Sequence, residues 1–258
     1  IRVIVEQAQT RSHAIIGGRR VGKSSLLSCL HRVRLPALGY RTAYLDCSSA
    51  NSSIALLNED PRTLGWRPDP PGNQPSSLAA LLASPPTDKP FVFLLDEVDK
   101  LVPSERSNGW PLFNALRALA NSRKGQVVLS GERTLREALR DSRSPLFNLA
   151  NEILLGPLDY KAVEELITRP MKQLDIQLIG ERAIVDKIWK FSSGHPNVVQ
   201  RLCHRLIERL AKQSRPTERN MTLFDVRAII SDPRFQEDDF LNTYWERATP
   251  LEKIITII

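Results

Sequence analysis

The stretch Gly17–Ser25 reads GGRRVGKSS and decides how the first half of this chain folds. It has the spacing Gly-x-x-x-x-Gly-Lys-Ser, with Gly17, Gly22, Lys23 and Ser24 at the fixed positions. Glycine lets the backbone turn tightly enough for several N–H groups to face one anion, and the start of a helix adds a positive dipole end. Lysine supplies a point charge for terminal phosphates, and a serine hydroxyl is a magnesium ligand. We therefore predict a phosphate-binding loop between a strand and a helix.

The residues on both sides of this loop fit that prediction. Ala14-Ile15-Ile16 is a short apolar run that predicts a strand, and after the loop apolar residues recur at helical spacing as far as Val33. Two arginines inside the loop, Arg19 and Arg20, would screen the phosphates or face a second copy of the chain. The remaining loop residues that we assign to nucleotide binding are Gly18, Arg19, Arg20, Val21 and Ser25.

A second motif, FVFLLDE at Phe91–Glu97, supplies the acidic half of the site. Its five apolar residues predict a strand buried on both faces, as in a parallel sheet. At the end of that strand, Asp96 would hold magnesium through water, and Glu97 would polarise a water that attacks a phosphate. We interpret the next residues, Asp99 and Lys100, as a surface turn, with an approach to the site as the alternative.

Strands alternate with helices as far as about residue 158, which predicts an α/β domain whose parallel sheet is sandwiched by helices. Residues 47–77 are rich in Pro, Gly, Asn and Ser and predict a long insertion with little secondary structure. From Asp159, a plausible N-cap, to about residue 240 only helical patterns occur. We therefore predict an α/β domain at 1–158, an all-helical domain at 159–240, and a third unit that begins at 241–258.

Composition excludes several classes of protein. The 258 residues are 41% hydrophobic and 25% charged, which is ordinary for a soluble globular protein. No apolar run approaches the roughly 20 residues of a membrane span, and the three cysteines have neither zinc nor disulfide spacing. We expect a cytoplasmic protein without a membrane association. Since the sequence lacks an initial Met and stops in the apolar run LEKIITII, we interpret it as a piece of a longer chain.

The net charge of +7 suggests nucleic acid as a partner. However, much of the positive excess lies in Arg11–Arg34, around the phosphate loop, and in Arg201–Arg219, which has the character of a solvated helix face. Direct binding of DNA or RNA is therefore the less favoured interpretation.

Three stretches, GGRRVGKSSLL, FVFLLDEVDK and SSGHPNVVQRLCHRL, together resemble the STAND class of signal-transduction NTPases, in the AAA+-related branch of P-loop NTPases. The resemblance runs from about residue 14 to 258, and the element that is most specific for the STAND class is Gly194-His195-Pro196. It implies ATP or ADP with Mg²⁺ as cofactors, and these three residues beside the base or sugar. It also implies that 241–258 begins a winged-helix unit and that the protein is a switch, closed with ADP or without nucleotide and a homo-oligomer with ATP.

The same resemblance assigns sensors of the γ phosphate. Ser130 ends the fourth predicted strand and would be a polar sensor, and Arg133 would be a charged one. Arg143 would reach the site of a neighbouring subunit as an arginine finger. A surface ion pair is the alternative for both arginines. The segment that commonly precedes the first strand in this class is not evident in residues 1–16, which leaves the adenine contacts open.

Three functions remain open at this point. The favoured one is an ATP-binding, slowly hydrolysing switch that oligomerises to control an attached or partner effector. The alternatives are an AAA+ ATPase that acts on DNA, of the initiator or loader type, and a nucleotide-bound scaffold that does not hydrolyse. Adenine over guanine rests on the resemblance, since an Asn-Lys-x-Asp pattern for guanine is missing from the sequence.

Overall fold

The computed structural model describes residues 2–48, 52–62, 75–85, 89–212 and 219–236. The chain divides into two compact units, Ile1–Gly156 and Pro157–Ile258. The predicted start of a winged-helix unit at 241–258 lies outside the described residues.

The first unit is built on a parallel sheet of five described strands. They are β1 (Ser12–Gly17), β2 (Arg41–Asp46), β3 (Phe91–Asp96), β4 (Gly125–Gly131) and β5 (Ala150–Leu155). Their order in the sheet is β2-β3-β4-β1-β5, and every neighbouring pair is parallel. This order brings the ends of β1, β3 and β4, which carry the predicted motifs, to one edge of the sheet.

One helix precedes β1, and helices follow the first four strands along the chain. They are α1 (Arg2–Gln7), α2 (Lys23–Cys29), α3 (Leu35–Ala37), α4 (Ser53–Asn58), α5 (Leu78–Ala83), α6 (Val102–Ser107), α7 (Pro111–Asn121) and α8 (Arg133–Arg140). A π-helical turn at Leu30–Arg34 continues α2 into α3, and a 3₁₀ turn at Val98–Lys100 follows β3. The six-residue helix α4 lies inside the predicted insertion at 47–77, and residues 49–51 and 63–74 of that segment lie outside the described residues.

Alternation along β3 shows why the sheet is covered on both faces. Phe93 and Leu95 belong to one apolar cluster, with residues of α5 and α7, and Leu94 belongs to another, with residues of α1 and α2. Every residue of β3 is buried. Helices therefore cover both faces of this parallel sheet, and the predicted P-loop NTPase fold of the first unit is confirmed.

The second unit is mainly helical. Its helices are α9 (Tyr160–Gln173), α10 (Glu181–Ser192), α11 (Pro196–Lys212), α12 (Leu223–Ile230) and α13 (Pro233–Gln236). Asp159 caps α9, because its side chain accepts a hydrogen bond of 2.8 Å from the Ala162 N–H.

The second unit also contains two short parallel strands, β6 (Gln177–Ile179) and β7 (Asn220–Thr222), which corrects the expectation of helices alone. Three residues are too few to show the alternation that identifies a strand from sequence. Within the described parts of both units, we find no helix with the length and apolarity of a membrane span.

Candidate nucleotide site

The turn between β1 and α2 depends on its two outer glycines for different reasons. Gly22 has a φ of +99°, a conformation that side-chain-bearing residues seldom adopt, and its Cβ position is open. Gly17 needs space instead, because a Cβ there would lie 2.5 Å from the carbonyl oxygen of Leu155. That close approach follows from the register of the sheet, which pairs Gly17 with Leu155. The loop therefore needs glycine at both positions.

Lys23, the first residue of α2, is held inside this turn. Its side chain is 3% exposed, and Nζ donates to the carbonyl oxygens of Gly17 at 2.9 Å and of Gly18 at 2.7 Å. Nζ also lies 3.4 Å from a carboxylate oxygen of Glu132. The lysine is therefore positioned by the loop, and its charge is shared with an acid from the end of β4.

Glu132 and Asp99 form a second acidic pair beside the loop. The Asp99 carboxylate accepts from the N–H of Glu132 at 2.6 Å and from the N–H of Leu135 at 3.0 Å, so it caps α8. Gly131 permits this approach, since a Cβ there would collide with Asp99. This corrects the interpretation of Asp99 as part of a surface turn: Asp99 fixes the position of Glu132.

Asp96 is 2% exposed and accepts several hydrogen bonds. Oδ1 accepts from the Ser130 hydroxyl and from the N–H of Glu97 at 3.0 Å, and Oδ2 accepts from the Tyr44 hydroxyl at 3.0 Å. An ionised carboxylate offers about four acceptor directions, which leaves room for a water. The arrangement fits an acid that holds Mg²⁺ through water.

Glu97 has a φ of +54°, a strained backbone conformation for a residue with a side chain. Burial raises the pKa of Glu97; the charge of Lys23 opposes this change, and the carboxylates of Asp96, Glu132 and Asp99 reinforce it. The Lys23 charge thus acts on Glu97, which joins the phosphate loop and the acidic motif into one electrostatic site. Strained, half-buried acids of this kind are common where a carboxylate performs chemistry.

The donor set for Mg²⁺ is small. Ser24 and Ser25 are exposed in the first turn of α2, and Asp96 is the candidate acidic ligand. Among the described residues no group of three or more His, Cys, Asp or Glu side chains could hold a metal. That is compatible with Mg²⁺, which keeps several waters and takes one or two protein ligands together with phosphate oxygens.

The predicted charged sensors lie at the protein surface. Arg133 Nε donates to Glu137 at 2.8 Å, one turn further along α8, and the Arg133 side chain is 81% exposed. Arg143 Nε donates to Asp141 at 3.0 Å and is also exposed. In this conformation each arginine forms a local ion pair.

Gly194, His195 and Pro196 join α10 to α11 in the second unit. Gly194 has a φ of +75°, and a Cβ there would lie 2.2 Å from the Leu158 carbonyl oxygen. The Leu158 N–H donates to the Gly194 carbonyl at 2.8 Å, and Pro196 is the first residue of α11. The turn therefore has a structural reason for glycine and proline at these positions.

Two residues of the site were missed by sequence reasoning. Tyr44, on β2, reaches Asp96 only because β2 and β3 are neighbours in the sheet. Glu132 immediately follows Gly131 in the stretch SGER, in which only Ser130 and Arg133 were predicted to belong to the site. An acid at the end of β4, beside the phosphate loop, was the available signal.

Comparisons with known proteins agree with this fold. A Walker-type ATPase of Pyrococcus abyssi has a TM-score of 0.57 at 17% identity, over 80% of this chain and 65% of that one. A RuvB variant of Thermotoga maritima has a TM-score of 0.59 at 17% identity, over 95% and 73% of the two chains. ORC2 of Aeropyrum pernix, in its ADP form, has a TM-score of 0.62 at 14% identity, over 92% and 67%. At these identities the likeness is one of fold, and the chain spans just under two thirds of the Pyrococcus protein.

The fold and the loop geometry define a P-loop NTPase of the AAA+-related kind. A family model described as an AAA domain matches residues 7–139, just over half of the sequence, and the chain belongs to that family. The comparison with curated proteins gives no match.

Proposed function

We propose that this chain binds ATP with Mg²⁺ at the carboxyl edge of the sheet, hydrolyses it slowly, and uses the bound nucleotide as a switch of the STAND type. One arrangement carries the proposal. A buried lysine held by a glycine loop lies close enough to Glu97 for its charge to affect the pKa of that carboxyl, next to the buried Asp96. Phosphate binding and water activation need those groups together.

Each residue has a separate task in this reaction. The N–H groups of residues 18–24 and the Lys23 ammonium bind the phosphates, and Ser24 with Asp96 would hold Mg²⁺. When bound, Mg²⁺ neutralises charge on the phosphate oxygens. Glu97 accepts a hydrogen bond from water and orients it towards the γ phosphorus. The new bond joins water oxygen to phosphorus, the bond to the β-phosphate oxygen breaks, and ADP and inorganic phosphate leave.

Ser130 connects this chemistry to the sheet. Its hydroxyl donates to Asp96 from the adjacent strand β4, and Ser130 is two residues before Glu132 in the sequence. A γ phosphate would attract both Ser130 and Lys23, and the Lys23–Glu132 ion pair would weaken. We propose that this exchange of partners distinguishes ATP from ADP and that the ATP-bound form assembles into homo-oligomers.

The proposal is tested with Lys23→Ala, and the exposed Lys89→Ala is the matched control. Purified wild type and Lys89→Ala should bind fluorescent ATP and, with ATP, should grow in mass by light scattering. Lys23→Ala should do neither, while its thermal unfolding still shows a folded protein. Wild-type ATP affinity in folded Lys23→Ala would refute the site, and ATP binding without any growth in mass would refute the switch.

A second candidate function is an AAA+ ATPase that acts on DNA. Two observations favour it: the net charge of +7, and solved structures of the same fold that include RuvB, ORC2 and the Thermotoga maritima replication initiation protein DnaA. Fluorescence anisotropy with duplex DNA at about 50 and 200 mM salt tests it, because phosphate contacts make affinity fall steeply with salt. Absence of binding at the lower salt concentration would eliminate this candidate.

A further inference from the structure

A polar cleft lies at the edge of the sheet opposite the phosphate loop. Its volume is about 710 Å³, and it is lined at the start of β1, β4 and β5 by Ser12, Gln126 and Asn151. The predicted nucleotide residues are at the other ends of these strands. Since a residue of a strand advances the chain by about 3.3 Å, the two places are roughly 15–20 Å apart. The cleft is therefore separate from the site already described.

The charged side chains that line the cleft are all positive. Arg11, Arg117 and Arg123 line it, and none of its lining residues is an acid. Within the described residues, neither Arg11 nor Arg123 forms a salt bridge, and both are exposed. Three guanidinium groups around one concave surface attract an anion, and their fork of N–H groups suits phosphate oxygens.

Arg117 is held in place by the protein itself. Nε donates to the Pro145 carbonyl at 2.6 Å, and a terminal nitrogen donates to the Phe147 carbonyl. These two bonds use neutral acceptors, so the positive charge stays uncompensated while the remaining N–H groups are available for a ligand. A fixed, half-buried guanidinium is a pre-organised anion binder.

The rest of the lining is suited to hydroxyl groups. Gln126 is buried at the start of β4, and its side-chain oxygen accepts from the Ser12 hydroxyl at 2.9 Å, which directs its amide N–H₂ elsewhere. Asn121, Asn148 and Asn151 add further amides. No aromatic side chain lines the cleft, so a base would have no aromatic ring to stack on there.

We propose that this cleft binds a phosphate ester, which is held through its phosphate by the three arginines and through sugar hydroxyls by the amides. The phosphate belongs to a free sugar phosphate or nucleotide, or to the backbone of a nucleic acid strand. The chemistry of the cleft is the same in both cases. This site operates whether or not the phosphate loop hydrolyses ATP.

The test uses the double variant Arg11→Gln/Arg123→Gln. Arg117 is kept, because its bonds to backbone carbonyls make it necessary for the fold. The matched control is Arg169→Gln/Arg182→Gln, two exposed arginines of α9 and α10 with the same loss of charge. Binding of ribose 5-phosphate is measured by calorimetry and of a fluorescent single-stranded oligonucleotide by anisotropy, with the phosphate loop saturated with ADP and Mg²⁺.

We expect wild type and the control to bind at least one probe, and the double variant to bind it at least about tenfold more weakly. Loss of oligonucleotide binding identifies a strand as the ligand, and loss of ribose 5-phosphate binding alone identifies a free phosphate ester. Wild type that binds neither probe, or a double variant equal to the control, overturns the inference. A chain that fails to bind ADP but shows the expected loss refutes the proposed function and leaves this site in place.

Discussion

The Lys23 ammonium lies 3.4 Å from the Glu132 carboxylate, and the lysine side chain is almost completely buried. A triphosphate at the loop must therefore compete with Glu132 for the same charge. Glu132 is positioned for this by Asp99, which accepts from its backbone N–H. The ion pair makes nucleotide affinity adjustable by one acid that does not belong to either sequence motif.

The first prediction concerns this acid. Glu132→Gln should increase the affinity for ADP and ATP about fivefold to tenfold, because the nucleotide no longer displaces a charged partner of Lys23 and no longer meets a negative charge. The backbone N–H that Asp99 binds is unchanged. Titration with a fluorescent ADP analogue measures the affinity, and the exposed Glu165→Gln serves as the control. Unchanged or weaker affinity in Glu132→Gln would show that the ion pair does not oppose binding.

A second prediction separates binding from chemistry. Glu97→Gln should retain ATP affinity within about threefold and lower the single-turnover hydrolysis rate about 100-fold or more, which is the usual contribution of a general base or water-orienting acid. Glu165→Gln should hydrolyse at the wild-type rate. If wild type and Glu97→Gln release γ-labelled phosphate equally fast, Glu97 has no role in the reaction. If neither releases any, the chain is a nucleotide-bound scaffold.

A third prediction uses two glycines at opposite ends of α10. Gly194→Ala should destabilise the second unit by more than about 2 kcal/mol, because the new methyl group meets the Leu158 carbonyl in a strained backbone conformation. Gly180 has nearly the same φ, +76°, but nothing within 4 Å of its Cβ position. Gly180→Ala should therefore cost only about 1 kcal/mol. Urea unfolding measures both, and equal losses would show that the contact with Leu158 is unimportant.

A fourth prediction concerns pH and Asp225 at the start of α12. Burial acts to raise the pKa of Asp225, but hydrogen bonds from Thr222 and the nearby Arg209 outweigh it, so the pKa lies below its ordinary value. The stabilisation is thus present above the ordinary pKa of a carboxyl group and is lost as the pH falls through the lowered one. Asp225→Asn should cost about 1–2 kcal/mol at neutral pH.

The cost of Asp225→Asn should shrink as the pH falls from about 4 to about 2, since wild type then loses the same charge. Urea unfolding at a series of pH values, with the exposed Glu165→Gln of α9 as a control, follows this change. A cost that stays constant across the series would contradict the assigned role of the carboxylate.

The phosphate loop and the acidic motif could be predicted because each is a local pattern. The spacing of Gly17, Gly22 and Lys23 and the apolar run before Asp96 belong to single short segments. Strand β3 was identifiable because burial on both faces requires apolar residues at every position. The fold class followed from these elements and their alternation with helices.

The contacts among motifs could not be predicted in the same way. Tyr44 meets Asp96, and Ser12 meets Gln126, because of the strand order and register of the sheet, which no local pattern encodes. Glu132 is similar, since its partner Lys23 is 109 residues away. Such long-range pairs depend on how the helices and strands pack, and this packing cannot be predicted from local sequence patterns.

The two glycines of the phosphate loop would record different histories in descendants of this chain. Gly17 is required by the neighbouring strand, whether or not any nucleotide is ever bound, whereas Gly22 serves only the curvature of the turn. A lineage that abandoned phosphate chemistry would thus be free to replace Lys23 and to relax Gly22, yet would keep Gly17. Retention of Gly17 alone therefore indicates descent from this fold, whereas retention of Gly22 and Lys23 indicates that the loop still binds phosphate.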